Sequence, residues 1–146
     1  MFKITYEDII TMHNSVINRY GGIAGIRDEG TLKLLCEEPY QECFGQELFP
    51  TIYDKAAKYL EGFARHQVFY DGNKRTAFIS MATLLACNDI ELTLSQNDAY
   101  NYVMEIANKN FISIEQISTF LKNNSKIVEQ INENTQTDDI REEERT

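Results

Sequence analysis

The string Asp71-Gly72-Asn73-Lys74-Arg75 holds the side chains best suited to chemistry in this sequence. It opens a strongly apolar run that includes Ala77, Phe78, Ile79, Met81, Leu84 and Leu85, which places it at the N-terminus of a buried helix. The first amides of a helix have no partner within it and the macrodipole adds partial positive charge, so such an end suits an anion. Gly72 lacks a Cβ and lets a bulky phosphate approach the backbone, while Asn73 can cap the helix or donate to an oxygen. Lys74 offers a compact cation and Arg75 a forked one, both matched to phosphate. Asp71 would repel that phosphate unless a divalent metal bridged them, and Mg²⁺ binds in this way, through one carboxylate plus phosphate oxygens and water. Two cations at a helix start oppose the dipole at about 0.3–1 kcal/mol each and demand something negative nearby. The same string also reads as an ordinary Asp-Gly-Asn turn followed by a solvated Lys-Arg face.

Helices must position that turn. Thr5 and an acidic first turn open a helix with the apolar series Ile9, Met12, Val16 and Ile17, and Gly21-Gly22 ends it. Residues 21–30 (GGIAGIRDEG) read as a loop, and a short helix over Thr31–Glu37 stops at Pro39. A connecting segment covers 40–50, and Thr51 caps a helix that reaches about His66. After the turn at 67–72 the buried helix runs from Asn73 to about Cys87. Ser95 and Asp98 open a further helix to about Asn108, and Ser113 with Gln116 forms a capping box for the last one. The fold class is all-α, a bundle of about six helices around a buried central helix, with residues 1–122 as one domain. Residues 123–146 turn polar and acidic and are expected to be frayed or partly disordered.

The bulk composition narrows the function. A chain of 146 residues fits one domain, and two Pro with seven Gly are too few for a sandwich or barrel. A net charge of −9 repels phosphate backbones, which argues against general binding of nucleic acid and makes the local Lys74-Arg75 cluster informative. Cys36, Cys43 and Cys87 are odd in number without a CxxC spacing, as expected of free thiols in a reducing compartment. The first residues lack the layout of a signal peptide and no apolar run approaches the roughly 20 residues of a membrane span, so the expected location is the cytoplasm.

The longer string ARHQVFYDGNKRTAF (64–78) resembles the signature of the Fic/Doc superfamily, and specifically its Doc (death-on-curing) toxin branch: His-x-Phe-x-Asp-(Ala or Gly)-Asn-Lys-Arg. RYGGIAG (19–25) with Asp28 and Gly30 is similar to the Doc N-terminal segment, and AAKYL (56–60) to the helix leading into the motif, so the likeness covers roughly residues 4–122. The resemblance implies a helical bundle and a nucleotide-dependent modification of a protein. Most Fic proteins transfer AMP to a hydroxyl; Doc, with Lys at the position of Lys74, transfers the γ-phosphate of ATP to a threonine of elongation factor Tu and halts translation. On this pattern Asp71 holds Mg²⁺, Gly72, Asn73, Lys74 and Arg75 hold phosphates, Phe69 is the packing anchor of the motif, and a flap near Gly45–Tyr53 aligns the target. A small antitoxin that covers the active site is the implied partner. The alternatives are AMP transfer and a nucleotide- or partner-binding module without catalysis.

One position departs from the pattern. The motif histidine, which takes the proton from the attacking hydroxyl, falls on Gln67, and His66 lies one residue earlier. Glutamine has no useful pKa, and losing a general base costs about 10²–10⁴ in rate. Three readings follow: a toxin disarmed by a His→Gln exchange, a non-enzyme that keeps the binding surface, or a bulge that lets His66 act as the base. The last requires a side chain to swing by about 100° and ranks third. Ser125-x-x-x-Glu129 followed by Gln130 is a near miss to the inhibitory helix motif of some Fic proteins, and a solvated helix end reads better there.

Overall fold

The computed structural model of the chain describes residues 1–128. Six α-helices lie among them: α1 (Tyr6–Tyr20), α2 (Glu29–Glu37), α3 (Ile52–Arg65), α4 (Asn73–Ala86), α5 (Gln96–Asn108) and α6 (Ile114–Asn123). Local chemistry fixes their starts. Thr5 with Asp8, Thr51 with Asp54, and Ser113 with Gln116 each form a reciprocal capping box that satisfies two end amides. Helix α2 begins earlier than the Thr31 expected, because the Asp28 carboxylate caps it by accepting from the Thr31 amide and hydroxyl.

The central position expected for α4 is shared with α3. Helix α4 packs against α1, α3 and α5, and α3 in turn touches α2, α5 and α6. Between them Ala57, Leu60, Phe63, Ala77, Leu84 and Leu85 are essentially out of reach of water. Midway along α3 the buried Tyr59 hydroxyl lies 3.3 Å from the Ile4 carbonyl, 3.1 Å from that of Cys36 and 3.2 Å from the Tyr40 hydroxyl, tying the N-terminus and the end of α2 to the core. Burial, aided by Glu37 and Glu7, pushes the Cys36 thiol up to about 12, so it stays protonated and unreactive. All three cysteines are free.

Two small sheets interrupt the helices. Strands β1 (Glu42–Cys43) and β2 (Gln46–Glu47) pair across Phe44 and Gly45, whose φ values of 52° and 77° are those of a two-residue hairpin turn. The buried Lys55 holds its base by donating to the Phe49 carbonyl and pairing with Glu47 at 3.3 Å. Strands this short carry no alternation to read, and the sequence shows here only a connection that overlaps the flap implied near Gly45–Tyr53. Strands β3 (Ile90–Leu92) and β4 (Ser125–Ile127) pair antiparallel, Ile90 opposite Ile127. The packed chain therefore continues past the boundary expected at residue 122. Ser125 opens a strand rather than the inhibitory helix considered above; Glu129, Gln130 and the rest of the acidic tail lie outside the described residues. No helix among the described residues is long and apolar enough to cross a membrane.

Removing the Tyr59 hydroxyl with Tyr59→Phe leaves the Ile4 and Cys36 carbonyls without this donor. The expected cost is about 1–2 kcal/mol, read in urea unfolding as a lower midpoint at unchanged slope.

Candidate active site

The turn between α3 and α4 is fastened from three sides. Loop 21–28 lies along it as an extra strand: the Arg27 and Asp28 amides both donate to the Val68 carbonyl (2.7 and 3.1 Å), Ile26 bridges to Phe69, and the Tyr70 amide donates to the Gly25 carbonyl at 3.4 Å. From α1, the buried His13 stacks on Phe69 with ring centroids 3.6 Å apart and planes within 7°. Its Nε2 donates to the Asp71 carbonyl at 2.8 Å, which fixes the tautomer with the proton on Nε2. From within, the Asn73 carboxamide closes on Phe69, accepting from its amide at 3.0 Å and donating to its carbonyl at 2.9 Å.

Two expectations change here. Gly72 has a left-handed φ of 80° and forms the N-cap of α4, but a Cβ on it would come 3.0 Å from Val16 and 3.4 Å from Ile17. Its bareness therefore serves the approach of α1 as well. Asn73 spends its oxygen and one amide hydrogen on Phe69, so it shapes the turn and keeps one hydrogen for a ligand.

Above this turn lies a cleft of about 450 Å³, walled on its far side by Ala107 and Asn108 at the end of α5. Gln67, Asp71, Gly72, Asn73, Lys74 and Arg75 all line it. Phe69, also singled out by its spacing, is fully buried beneath them. His66 does not line it; the C-cap residue of α3, it lies on extended backbone just outside. The alignment with Gln67 at the motif position thus agrees with the geometry, and the bulge that would bring in His66 is absent. Gln67 is itself held, its Oε1 accepting from Arg27 Nη1 at 2.8 Å.

The electrostatics favour an anion. Within α4 the first amide to reach a backbone acceptor is that of Thr76, which donates to Gly72 at 2.9 Å; the amides of Asn73, Lys74 and Arg75 precede it. Among the described residues neither Lys74 nor Arg75 pairs with a carboxylate. Arg75 instead lies over the Tyr20 ring at 3.6 Å, with Tyr100 at 5.4 Å, which orders the guanidinium and leaves its charge uncompensated. Asp71 Oδ2 accepts from the Ile23 amide at 2.6 Å, and Oδ1 has no hydrogen-bond partner among the described residues. No group of three or more metal-ligating side chains occurs among the described residues. One spare carboxylate oxygen fits a Mg²⁺ that arrives with polyphosphate oxygens and water, not an ion caged by protein.

The profile of the Fic/DOC family matches residues 3–85, more than half of the chain. The chain belongs to this family. It is 35% identical over 86 residues to Toxin Doc of Mycolicibacterium smegmatis, an alignment that covers 59% of this chain and 64% of that protein. It is 33% identical over 92 residues to Protein kinase doc of Escherichia phage P1, covering 63% and 72% respectively. The chain thus spans a little under two thirds of the length of the first of these relatives. In this Fic/DOC chain the family match contains α1, the 21–28 loop, the motif turn and nearly all of α4, and so every part of the cleft except the α5 wall at Ala107 and Asn108.

Several residues of the site escaped the sequence reading. His13 recurs with Ile9 and Val16 on the buried face of α1, so a histidine within an apolar stripe was its signal. The glycines of loop 21–28 hinted at close backbone approach: a Cβ on Gly22 would fall 2.9 Å from the Asp71 Cβ. Tyr20 and Arg27 gave no local signal, since their partners, Arg75 and Gln67, lie far along the chain, the latter 40 positions away.

Burial lowers the pKa of His13 from its ordinary 6.5, outweighing the upward pull of the Asp71 carbonyl. The folded protein then binds this proton less readily than the unfolded chain. The stabilisation is complete above about pH 6.5 and is lost as pH falls below it towards the depressed folded value. Urea midpoints of the unsubstituted chain should decline as pH falls below about 6.5, and His13→Asn should remove that part of the slope. Gly72→Ala should destabilise by roughly 1–3 kcal/mol, through the positive φ and the contact with Val16, in the same unfolding assay.

Proposed function

We propose that this chain is a Doc-like toxin, a phosphotransferase attenuated by Gln67, whose donor is ATP with Mg²⁺ and whose acceptor is a threonine of elongation factor Tu. The observation that carries the reading is the convergence of Lys74, Arg75 and the opening amides of α4 on one cleft, without a carboxylate partner for either cation among the described residues. The names of the relatives, Toxin Doc and Protein kinase doc, support the same activity. An antitoxin that covers the cleft is the partner this reading brings with it.

In this reading Lys74, Arg75 and the helix amides bind the polyphosphate and spread the charge that develops as the terminal phosphoryl group leaves. Asp71 Oδ1 would hold Mg²⁺, which supplies further neutralisation of the phosphate oxygens. The Ile23 amide, the His13 imidazole and the Asn73 clasp keep the Asp71 carboxylate and backbone in place for that task. What the chain lacks is a proton acceptor. The attacking threonine hydroxyl must shed its proton, and the carboxamide at position 67 cannot take it. Arg27, bonded to Gln67, would disfavour the protonated form of a histidine placed there and so keep that histidine available as a base.

A second reading has its own support: with Gln67 clamped by Arg27, the chain can hold nucleotide or partner without transferring anything. Labelled ATP separates the possibilities. Gln67→Ala should leave nucleotide affinity within about twofold, whereas Gln67→His should raise transfer of γ-label to elongation factor Tu by about 10²–10⁴. Transfer of α-label instead would establish AMP transfer, and transfer of neither label by Gln67→His would favour the binding module. Lys74→Ala combined with Arg75→Ala should weaken MgATP binding at least about a hundredfold in calorimetry, since each charge-assisted contact contributes about 1.5–3 kcal/mol.

A further inference from the structure

The cleft is dominated by polar and charged side chains, and one aromatic residue, Tyr70, lies among those that line it. An exposed tyrosine alone needs no explanation. This one is placed where it could act. It sits between Phe69, buried and stacked on His13, and Asp71, whose carbonyl is bonded to His13 and whose carboxylate is bonded to Ile23. Its own amide is held by the Gly25 carbonyl at 3.4 Å. A Cβ on Gly25 would come 3.5 Å from Cδ2 and Cε2 of the ring, so loop 21–28 supports one side of it. The rest of the ring is open, with the residue 55% exposed, and its hydroxyl has no hydrogen-bond partner among the described residues. The nearby Tyr20, by contrast, is already occupied by Arg75.

A nucleotide presents two unlike surfaces, a charged polyphosphate and a flat base. Lys74, Arg75 and the α4 amides answer the first, and none of them offers a flat apolar face. We propose that Tyr70 is the stacking surface for the nucleobase, the element that makes this cleft bind a nucleotide in preference to a bare polyphosphate. The inference rests on the anion site proposed above. Its physical basis is that ring-on-base stacking tolerates any base but requires an accessible ring whose position is set before the ligand arrives. The anchored backbone of Tyr70 provides that, since little more than its two side-chain torsions remain to be fixed on binding.

Calorimetry of the full chain with two probes, MgATP and magnesium tripolyphosphate, tests it. Tyr70→Ala should weaken MgATP by about tenfold or more while leaving tripolyphosphate within about twofold, and Tyr70→Phe should bind both as the natural sequence does. Equal loss for both probes, or no loss for either, would overturn the assignment. So would a Tyr70→Phe as damaged as Tyr70→Ala, because the hydroxyl and not the ring face would then be the contact. If the natural sequence binds neither probe, the anion site itself fails; if it binds both and only the Tyr70 pattern is missing, the anion site stands and the base contact does not. Unfolding midpoints of the two variants should match the natural sequence, since the replaced side chain is largely outside the core.

Discussion

Both polar groups of the Phe69 backbone are bonded to one side chain, the carboxamide of Asn73, and the Phe69 ring is stacked on His13. These contacts set the path of the chain into α4. A turn held only at its ends would let the first turn of the helix fray, and its amides would point in many directions. Here the Asn73 clasp closes the turn on itself, His13 pins the Asp71 carbonyl, and the 21–28 loop pairs with the outer edge. The direction of the opening amides, the placement of Asp71 and the exit vectors of Lys74 and Arg75 all follow from that closure. The packing of α1 on Gly72 couples it to the core, so the stability of the bundle and the geometry of the cleft are one problem.

The charge distribution has a matching logic. In a chain of net charge −9, two adjacent cations at a helix start find neither a favourable dipole nor, among the described residues, a carboxylate to pair with. Arg75 is kept in place by aromatic rings instead of a carboxylate, which orders it without neutralising it. Its charge stays directed at the cleft. Gln67 sits on the same wall, fixed by Arg27, with an amide where proton transfer would need a titrating group. In the function proposed above, binding and chemistry are separable: the groups suited to an anion line the cleft, and position 67 offers no group to accept a proton.

Much of the fold was legible because its signals are local. Thr5, Thr51 and Ser113 announce helix starts through contacts three residues away, and the apolar periodicity of α3 and the apolar run of α4 mark the centre of the bundle. The cleft was legible as a helix start with an unusual pair of cations. What stayed hidden depends on distant partners. Residues 125–127 become a strand only by pairing with 90–92, and Tyr20 becomes part of the site only through Arg75. Gly72 shows a subtler gap. Glycine was tied to the close approach of a ligand, but sequence alone does not reveal that Val16 and Ile17 of α1 also crowd this position. The hairpin at 42–47 lacked the length for any period to appear.

The central claim is that the opening amides of α4, held in register by the closed turn, bind phosphate oxygens. The most direct measurement is a titration of the isotope-labelled chain with MgATP, following backbone amide shifts by NMR. The account requires saturable shifts concentrated at residues 72–75, at one common affinity, with the far end of α4 little changed. Amides at 72–75 that stay still while the rest of the spectrum responds, or a spectrum that does not respond at all at millimolar ligand, would contradict it.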